Sequence, residues 1–383
     1  MHLFAVYFFL IVLRLESDWG TPYHELINLW TVGALLVGLF ALPAGWLADR
    51  WSAPGMIAVA FFGLGLAAVG CGLSGSTQSL WIWLCLLGAF ASIYHPVGIP
   101  WLVRNTESRG KALGINGIFG SSGVAVAGLV AGLLIDVSGW RVAFIVPGCF
   151  SIATGLVMVC CLKMGLMADR TSRKSAVKAT SQADRIWTFG ILLLTMFSGA
   201  VIYQATQASL PKVFELRLAE DIGQSALGIG AMIAIVYGMA GLSQVVAGYL
   251  ADRYPLKVVY LAAFMFQVPL LWLMSELGGM VLVAVAAAAT ILNSGALPAE
   301  NMLLADTVSV NHHGLAFGLK FVLAFGSAPI AIRLVSYINS TTGDFRQLFL
   351  VLAGLAILSC LSALMLPTFR SVPKTLASSQ SEG

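Results

Sequence analysis

The apolar residues of this chain come in runs of about 20, separated by short polar stretches. A helix of about 20 apolar residues is long enough to cross the hydrocarbon core of a bilayer. Of the 383 residues, 59% are hydrophobic and only 10% are charged, and the mean hydropathy is +0.90. A soluble domain of this length needs far more charge on its surface. The pattern therefore predicts an all-α membrane protein.

The runs predict twelve transmembrane helices in two sets of six. The first set is predicted at residues 1–15, 27–48, 54–74, 79–102, 111–136 and 141–165, and the second at 187–214, 225–250, 257–275, 278–304, 314–340 and 345–368. The first run is short for a span, because Arg14, Glu16 and Asp18 follow it almost at once. We therefore expect a first helix that is short or truncated at its beginning.

The two sets repeat each other in sequence. GWLADR at Gly45 to Arg50 returns as GYLADR at Gly248 to Arg253, an offset of 203, and Pro96 matches Pro298 at an offset of 202. RGKALG, which begins at residue 109, returns as HGLAFG at an offset of 204. Three matches at nearly one offset indicate two pseudo-symmetric halves descended from one unit, and such repeats are typical of transporter folds.

These repeats predict four segments. They are a six-helix half at 1–165, a polar linker at 166–186, a second six-helix half at 187–369 and a polar tail at 370–383. Lysine and arginine are concentrated on the side of the membrane that carries the linker and the tail. By the positive-inside rule, we expect a multi-pass protein of the bacterial inner membrane with both termini in the cytoplasm.

The GWLADR and GYLADR motifs resemble the signature of the major facilitator superfamily, Gly-x-Leu-Ala-Asp-Arg after helix 2, and its weaker echo after helix 8. The resemblance covers the helix count, the repeat, the linker and both motif positions. YHP in helix 4, RGKALGINGIFG before helix 5 and GWRVAF in helix 6 are similar to the fosmidomycin-resistance-like bacterial branches. The family implies a secondary transporter. The arginine motif of helix 4 and the Gly-Pro pair of helix 5 are missing, which leaves proton coupling and transport direction open.

The motif residues are candidates for gating contacts at the helix ends. They are Gly45, Asp49, Arg50, Gly248, Asp252 and Arg253. A carboxylate there can pair with arginine or cap a neighbouring helix, and glycine permits close helix approach. By the family resemblance, Asp49 faces the start of helix 11 near Gly314 and latches the outward-open state. The alternative is a static cap without a gating role.

His95 lies nine residues inside Arg104. At about 1.5 Å per residue, this depth is close to the bilayer midplane, where an ionisable group suggests a functional site. Pro96 should bend the helix there and free a backbone carbonyl. We expect His95 and its neighbour Tyr94 to be substrate or proton contacts. The alternative is a neutral histidine bonded to a neighbouring helix.

Glu300 and Lys320 are predicted to lie at similar depth on helices 10 and 11, where two separate charges would be costly. We expect an ion pair, which is either structural or exchanges partners with an anionic substrate or a proton. Helices 1, 4, 7 and 10 line the cavity in the resembled fold. This makes Gln204, Gln207 and Asn293 candidate ligand contacts, with interhelical hydrogen bonds as the alternative.

The leading hypothesis is a secondary transporter that moves a small polar or anionic organic solute by alternating access, with proton coupling open. The alternatives are a drug or antibiotic efflux pump and a non-transporting sensor or assembly protein with the same fold. The partners expected are a small-molecule substrate and the lipid bilayer, around a monomer. We expect no enzyme, cofactor or nucleic acid, because nucleophile–base pairs, phosphate loops and basic stripes are missing. His312 and His313 are too isolated for a metal site.

Overall fold

A computed structural model describes residues 2–48, 50–106, 109–167, 183–223, 225–308 and 313–367. All regular structure within these ranges is helical. The helices up to the linker are α1 (His2–Trp19), α2 (Tyr23–Asn28), α3 (Trp30–Leu39), α4 (Ala41–Ala48), α5 (Ala53–Gly72), α6 (Thr77–Ala91), α7 (Tyr94–Arg104), α8 (Arg109–Ser138) and α9 (Trp140–Lys163). The helices beyond it are α10 (Ala183–Arg217), α11 (Ala219–Ile222), α12 (Ala226–Arg253), α13 (Leu256–Glu276), α14 (Gly279–Thr307), α15 (His313–Thr342) and α16 (Arg346–Leu364).

Eleven helical segments of the described chain are long and apolar enough to span a membrane. The helix α1 is the predicted short one, with 18 residues. Its side chains nevertheless belong to the core, since Tyr7, Ile11 and Leu15 are fully buried. With α1 packed among the other eleven, the all-α arrangement of twelve predicted membrane helices is confirmed.

Two helices that were predicted as continuous are interrupted. The predicted helix 27–48 is divided into α2, α3 and α4, and the predicted helix 79–102 into α6 and α7. Proline lacks an N–H and leaves the carbonyl four residues earlier without its helical donor. Pro43 thus leaves the carbonyl of Leu39, the last residue of α3, without its helical donor. Pro96 does the same to the carbonyl of Ser92, just after α6. The helix is therefore interrupted next to Pro96, where a bend was predicted, whereas the interruption at Pro43 was not predicted.

The helices α8 and α12 bring the two halves of the chain into close contact. A Cβ atom added to Gly230 of α12 would overlap the carbonyl oxygen of Gly128 in α8. One added to Gly132 would lie 2.5 Å from the carbonyl oxygen of Ala226. Only glycine lets two helix backbones approach so closely, as in the small-residue interfaces typical of membrane helices.

The predicted segment boundaries at the linker and the tail fall largely outside the described residues. Most of the linker predicted at 166–186 and the whole tail predicted at 370–383 lie there. Within the described chain, α9 ends at Lys163 and α10 begins at Ala183. We call the end of the helix bundle where these two termini lie the linker end, and the opposite end the far end.

Candidate functional site

The far end is closed by polar contacts between the halves. The Nζ atom of Lys212 in α10 lies 2.5 Å from Oε2 of Glu16 in α1. Nearby, the Tyr23 hydroxyl donates to the carbonyl oxygen of Ala208 at 3.1 Å. The first and second halves of the chain are therefore held together at this end.

Asp136 adds a second contact of this kind. It lies in the last turn of α8, and its carboxylate accepts hydrogen bonds from the Ser225 hydroxyl at 2.8 Å and from the backbone N–H groups of Ala226 and Leu227 at 3.1 and 2.9 Å. These N–H groups begin α12 and have no partner within the helix. A carboxylate of the first half thus caps a helix of the second half. This pairing could not be predicted from the sequence, because it joins residues about ninety positions apart.

Within the second half, Arg217 joins three loops of the far end. Its guanidinium donates to the carbonyl oxygen of Met274 at 2.8 Å and to that of Leu277 at 3.3 Å. It also donates to the carboxylate of Asp344 at 2.7 Å. Partial burial raises the pKa of the Asp344 carboxyl, but the bond from Arg217 outweighs this and the pKa lies below its ordinary value.

Two adjoining cavities, which together we call the chamber, lie inside the helix bundle. The first lies between the halves and the second lies among helices of the second half. The first has a volume of about 140 Å³ and is lined by aromatic and aliphatic side chains of both halves, among them Trp30, Leu87 and Ile332. The second has a volume of about 230 Å³ and lies nearer the linker end, where Glu300 and Lys320 are part of its wall. Tyr203, Gln204 and Phe325 line both cavities. These shared residues separate an apolar compartment from one that contains charges.

The expected ion pair forms at the wall of the second cavity. The Nζ atom of Lys320 lies 2.6 Å from Oε1 of Glu300, and the side chains are only 11% and 7% exposed. The same ammonium group donates to the side-chain oxygen of Asn301 at 2.5 Å. The Tyr260 hydroxyl lies 3.1 Å from the other oxygen of Glu300 and 2.9 Å from Oγ1 of Thr195. A buried charge pair needs such additional hydrogen bonds to offset its desolvation.

Three members of this cluster were not predicted from the sequence: Asn301, Tyr260 and Thr195. Asn301 follows Glu300 directly and its polarity was visible in the sequence. Tyr260 and Thr195 lie on α13 and α10, and both are fully buried. Their meeting depends on helix packing, which a single sequence does not reveal.

The polar candidates of α10 and α14 also line the cavities. Gln204 borders both, and Gln207 borders the first and donates to the Tyr203 hydroxyl at 3.4 Å. Asn293 borders the second cavity and donates to the carbonyl oxygen of Gly199 at 3.2 Å. The structure therefore brings Gln204, Gln207 and Asn293 together with the ion pair, on the second-half side of the chamber.

His95 and Tyr94 lie elsewhere. The His95 ring is 5.7 Å from the ring of Phe321 and 5.1 Å from that of Phe325, between centroids, so it packs at the interface between α7 and α15. The Tyr94 hydroxyl donates to the side-chain oxygen of Asn116 at 2.6 Å. Among the described residues that line the two cavities, neither His95 nor Tyr94 is present. Their role as substrate or proton contacts stays a prediction.

The gating motifs lie at the linker end. The Arg50 guanidinium stacks 4.1 Å above the Trp46 ring, and that of Arg253 stacks 4.2 Å above the ring of Tyr249. Asp252 is exposed. Asp49 lies outside the described residues, and the expected contact with helix 11 near Gly314 depends on it.

The two motif glycines differ in their surroundings. A Cβ atom added to Gly45 would lie 3.4 Å from Pro96, whereas one added to Gly248 would meet open space. The expected close helix approach is therefore absent at Gly248 in this conformation.

Comparison with known proteins places these features in a family. A sequence model of the Major Facilitator Superfamily matches residues 1–219 and again residues 196–383. The chain is 29% identical over 278 residues to the multidrug resistance protein MdtG of Escherichia fergusonii, a match that covers 68% of this chain and 65% of that protein. It is 26% identical over 256 residues to the probable nitrate/nitrite antiporter NarK1 of Thermus thermophilus, covering 63% and 56%. The matches thus span less than two thirds of these relatives.

A solved structure shows the same fold. It is that of a bacterial homolog of the human lysosomal transporter Spinster, in an inward-facing and occupied conformation. The two structures agree with a TM-score of 0.71 over 97% of each chain, at 14% sequence identity. At this identity the likeness bears on the fold alone.

Proposed function

The chain belongs to the major facilitator superfamily, and from that premise we propose that it is a secondary transporter of an amphipathic organic solute. The observation that carries the proposal is the chamber formed by the two adjoining cavities. Its first compartment is apolar and aromatic, and its second holds a buried ion pair. Such a chamber matches a solute with an apolar body and one polar or charged group.

Alternating access is the mechanism that the proposal entails. In this conformation the far end is closed by the contacts of Glu16 with Lys212 and of Asp136 with the start of α12. To release a solute there, the halves must separate at the far end and break these contacts. The closed far end corresponds to one of the two states of such a cycle.

The chamber chemistry supports an amphipathic solute over the small polar or anionic one expected from the sequence. In the described chain, the wall of the first cavity carries two glutamines among aromatic and aliphatic groups, and its charge-free surface gives a small anion no counter-charge. An aromatic solute instead gains area burial and ring contacts with Trp30, Tyr203 and Phe325. MdtG, a relative, is a multidrug resistance protein by name.

A small anion is the second candidate, and Lys320 favours it. Its ammonium group has two partners, Glu300 and Asn301, so protonation of Glu300 would leave a cation free to bind an anionic group beside the second cavity. Tyr260 is the other titratable group that contacts Glu300. In this version of the proposal, binding of a proton at Glu300 favours binding of the anion at Lys320, and such coupling is the basis of proton-coupled transport.

The topology forms part of the proposal. We place the protein in the bacterial inner membrane as a multi-pass monomer, with halves at 1–165 and 187–369 and the linker and both termini in the cytoplasm. The charge distribution of the sequence supports this orientation. The linker end of the bundle would then face the cytoplasm.

The test is ligand-dependent thermal stability of the purified protein. A panel of aromatic cations, neutral aromatic compounds, organic anions and nitrate is added at rising concentration. A ligand at about 100 times its dissociation constant stabilises the folded state by about 2.7 kcal/mol. We expect a saturable shift with aromatic compounds that Gln204→Ala weakens and the exposed control Gln347→Ala leaves unchanged.

A saturable shift with organic anions or nitrate alone would replace the leading candidate by the second. Binding that is unaffected by Gln204→Ala and by Lys320→Met would place the solute outside the chamber and contradict both candidates.

A further inference from the structure

A third cavity, separate from the two cavities of the chamber, opens on the outer surface of the second half. The helices α12 and α13 follow each other in the chain but contact each other little, while α14 packs closely against both. The space between α12 and α13 is therefore a groove whose floor is α14. We call it the α12–α13 groove.

The groove is apolar and faces away from the central chamber. Its volume is about 310 Å³. Its floor includes Gly295 and Ile291 of α14, whereas Asn293 and Glu300 on another face of that helix line the chamber. Val246 and Phe266 on the rim are 60% and 55% exposed. For a chain that spans a bilayer, a surface of this kind is in contact with lipid.

The corresponding space in the first half is filled. Pro96 and Pro298 set the register of the repeat at an offset of 202, which pairs Gly295 with Ile93. Ile93 is buried in a core cluster together with Ala44 and Met56. The isoleucine side chain thus occupies, in the first half, the volume that the glycine leaves open in the second. The α12–α13 groove belongs to one half only, so the shared architecture does not require it.

The dimensions and charges of the groove indicate its occupant. It runs from Ser243 in α12 to Tyr254, the residue directly after that helix, a distance of eleven residues or about 16 Å at about 1.5 Å per residue. This equals about half of the 30 Å hydrocarbon core, the depth of one leaflet. At the linker end, the exposed Arg253 precedes the groove residue Tyr254, and its guanidinium stacks on the ring of Tyr249. Asp252 is the neighbour of Arg253 in the chain. Lys257 lies one residue before Val258 of the groove and donates to the carbonyl oxygens of Leu364 and Leu366.

We propose that the α12–α13 groove binds one acyl chain of a phospholipid from the leaflet at the linker end, with the phosphate at Arg253. The small side chains on the floor admit the chain, and dispersion contacts with the walls hold it. The guanidinium suits a phosphate because it presents several donors in a planar arrangement. The site is independent of the solute chamber and of the transport proposal.

Native mass spectrometry of the detergent-purified protein tests this with palmitoyl-oleoyl phosphatidylglycerol as the probe. Gly295→Ile fills the groove with the side chain of the first half, and a Cβ atom there lies 3.6 Å from the Ala247 methyl, an ordinary contact. Gly354→Ile is the matched control, since Gly354 is exposed on α16 and its Cβ would meet open space. Ala262→Leu fills the groove from α13.

We expect the wild type and Gly354→Ile to hold the first lipid with equal affinity. Gly295→Ile and Ala262→Leu should weaken it about tenfold or more, and Arg253→Gln several-fold, as expected for a lost charged hydrogen bond. Thermal midpoints measured without lipid show which variants fold. One folded groove-filling variant is enough to test the proposal.

Equal lipid affinity in the wild type and in a folded groove-filled variant would overturn the proposal. A dimer in the wild type that Gly295→Ile dissociates would also overturn it, because the occupant would then be a second copy of the chain. Unchanged lipid affinity in Arg253→Gln would overturn the assignment of the phosphate.

Discussion

Removal of one partner of the Glu300–Lys320 pair should destabilise the protein more than removal of both. In Lys320→Met, the Glu300 carboxylate stays buried beside Tyr260 without its cation, and a broken buried pair costs about 3–5 kcal/mol. The pair borders a cavity of about 230 Å³, and water there solvates part of the remaining charge. We therefore take the lower end, about 3 kcal/mol.

The assay is thermal unfolding in detergent of Lys320→Met, Glu300→Gln and the double variant. At about 2 °C per kcal/mol for a chain of this size, Lys320→Met should lower the midpoint by about 6 °C. The double variant should lose only about 0–2 °C, because no buried charge remains. The exposed pair of Glu276 and Arg346, 2.8 Å apart, is the matched control. Arg346→Met removes a solvent-exposed ion pair and should leave the midpoint nearly unchanged.

Two results would refute this reasoning. One is a midpoint of Lys320→Met that equals that of the wild type, which would mean that the pair is solvated and not buried. The other is a double variant whose loss equals the sum of the single losses, since independent sites add and coupled sites do not.

Three further predictions concern the far end and the helix interface. Asp136→Asn should weaken the cap of α12 and widen the distribution of distances between spin labels on α8 and α12 at the far end. The control Asp18→Asn loses only the local pair with Arg14 and should leave this distribution unchanged. Identical distributions in the wild type and both variants would contradict the prediction. Gly230→Ala should destabilise by about 1–3 kcal/mol through overpacking in thermal unfolding, and Gly354→Ala should not; equal midpoints would show that the helices adjust. Asp344→Asn should lower the thermal midpoint at pH 7 but not near pH 2. A carboxyl with a lowered pKa stabilises the fold above its ordinary pKa of about 4, and this stabilisation is lost as the carboxyl is protonated. An equal decrease of the midpoint at both pH values would contradict the prediction.

The architecture followed from the sequence because its signals are local or periodic. Runs of apolar residues set the helices, and the repeated GWLADR and GYLADR motifs set the two halves. The Glu300–Lys320 pair could be predicted because two charges at one depth in adjacent helices must find partners. The solute class stays a prediction, since the lining of the first cavity depends on which faces of six helices meet.

What the sequence did not reveal depends on long-range packing. Asp136 is an ordinary helix-end aspartate in the sequence, and only the fold brings it to α12. His95 was predicted as a site residue from its depth along helix 4, but the rings of Phe321 and Phe325 from the other half lie against it. Depth along a helix follows from residue number, whereas the direction in which a side chain points across the bundle depends on the neighbouring helices.

The most direct test of the central claim is flux in proteoliposomes of the compound that stabilises the protein in the panel. With the purified protein reconstituted, we predict saturable movement of that compound across the membrane, slowed in Gln204→Ala and unchanged in Gln347→Ala. Saturable binding without any flux above that of protein-free liposomes would contradict the account, and would indicate a sensor or an assembly protein with the transporter fold.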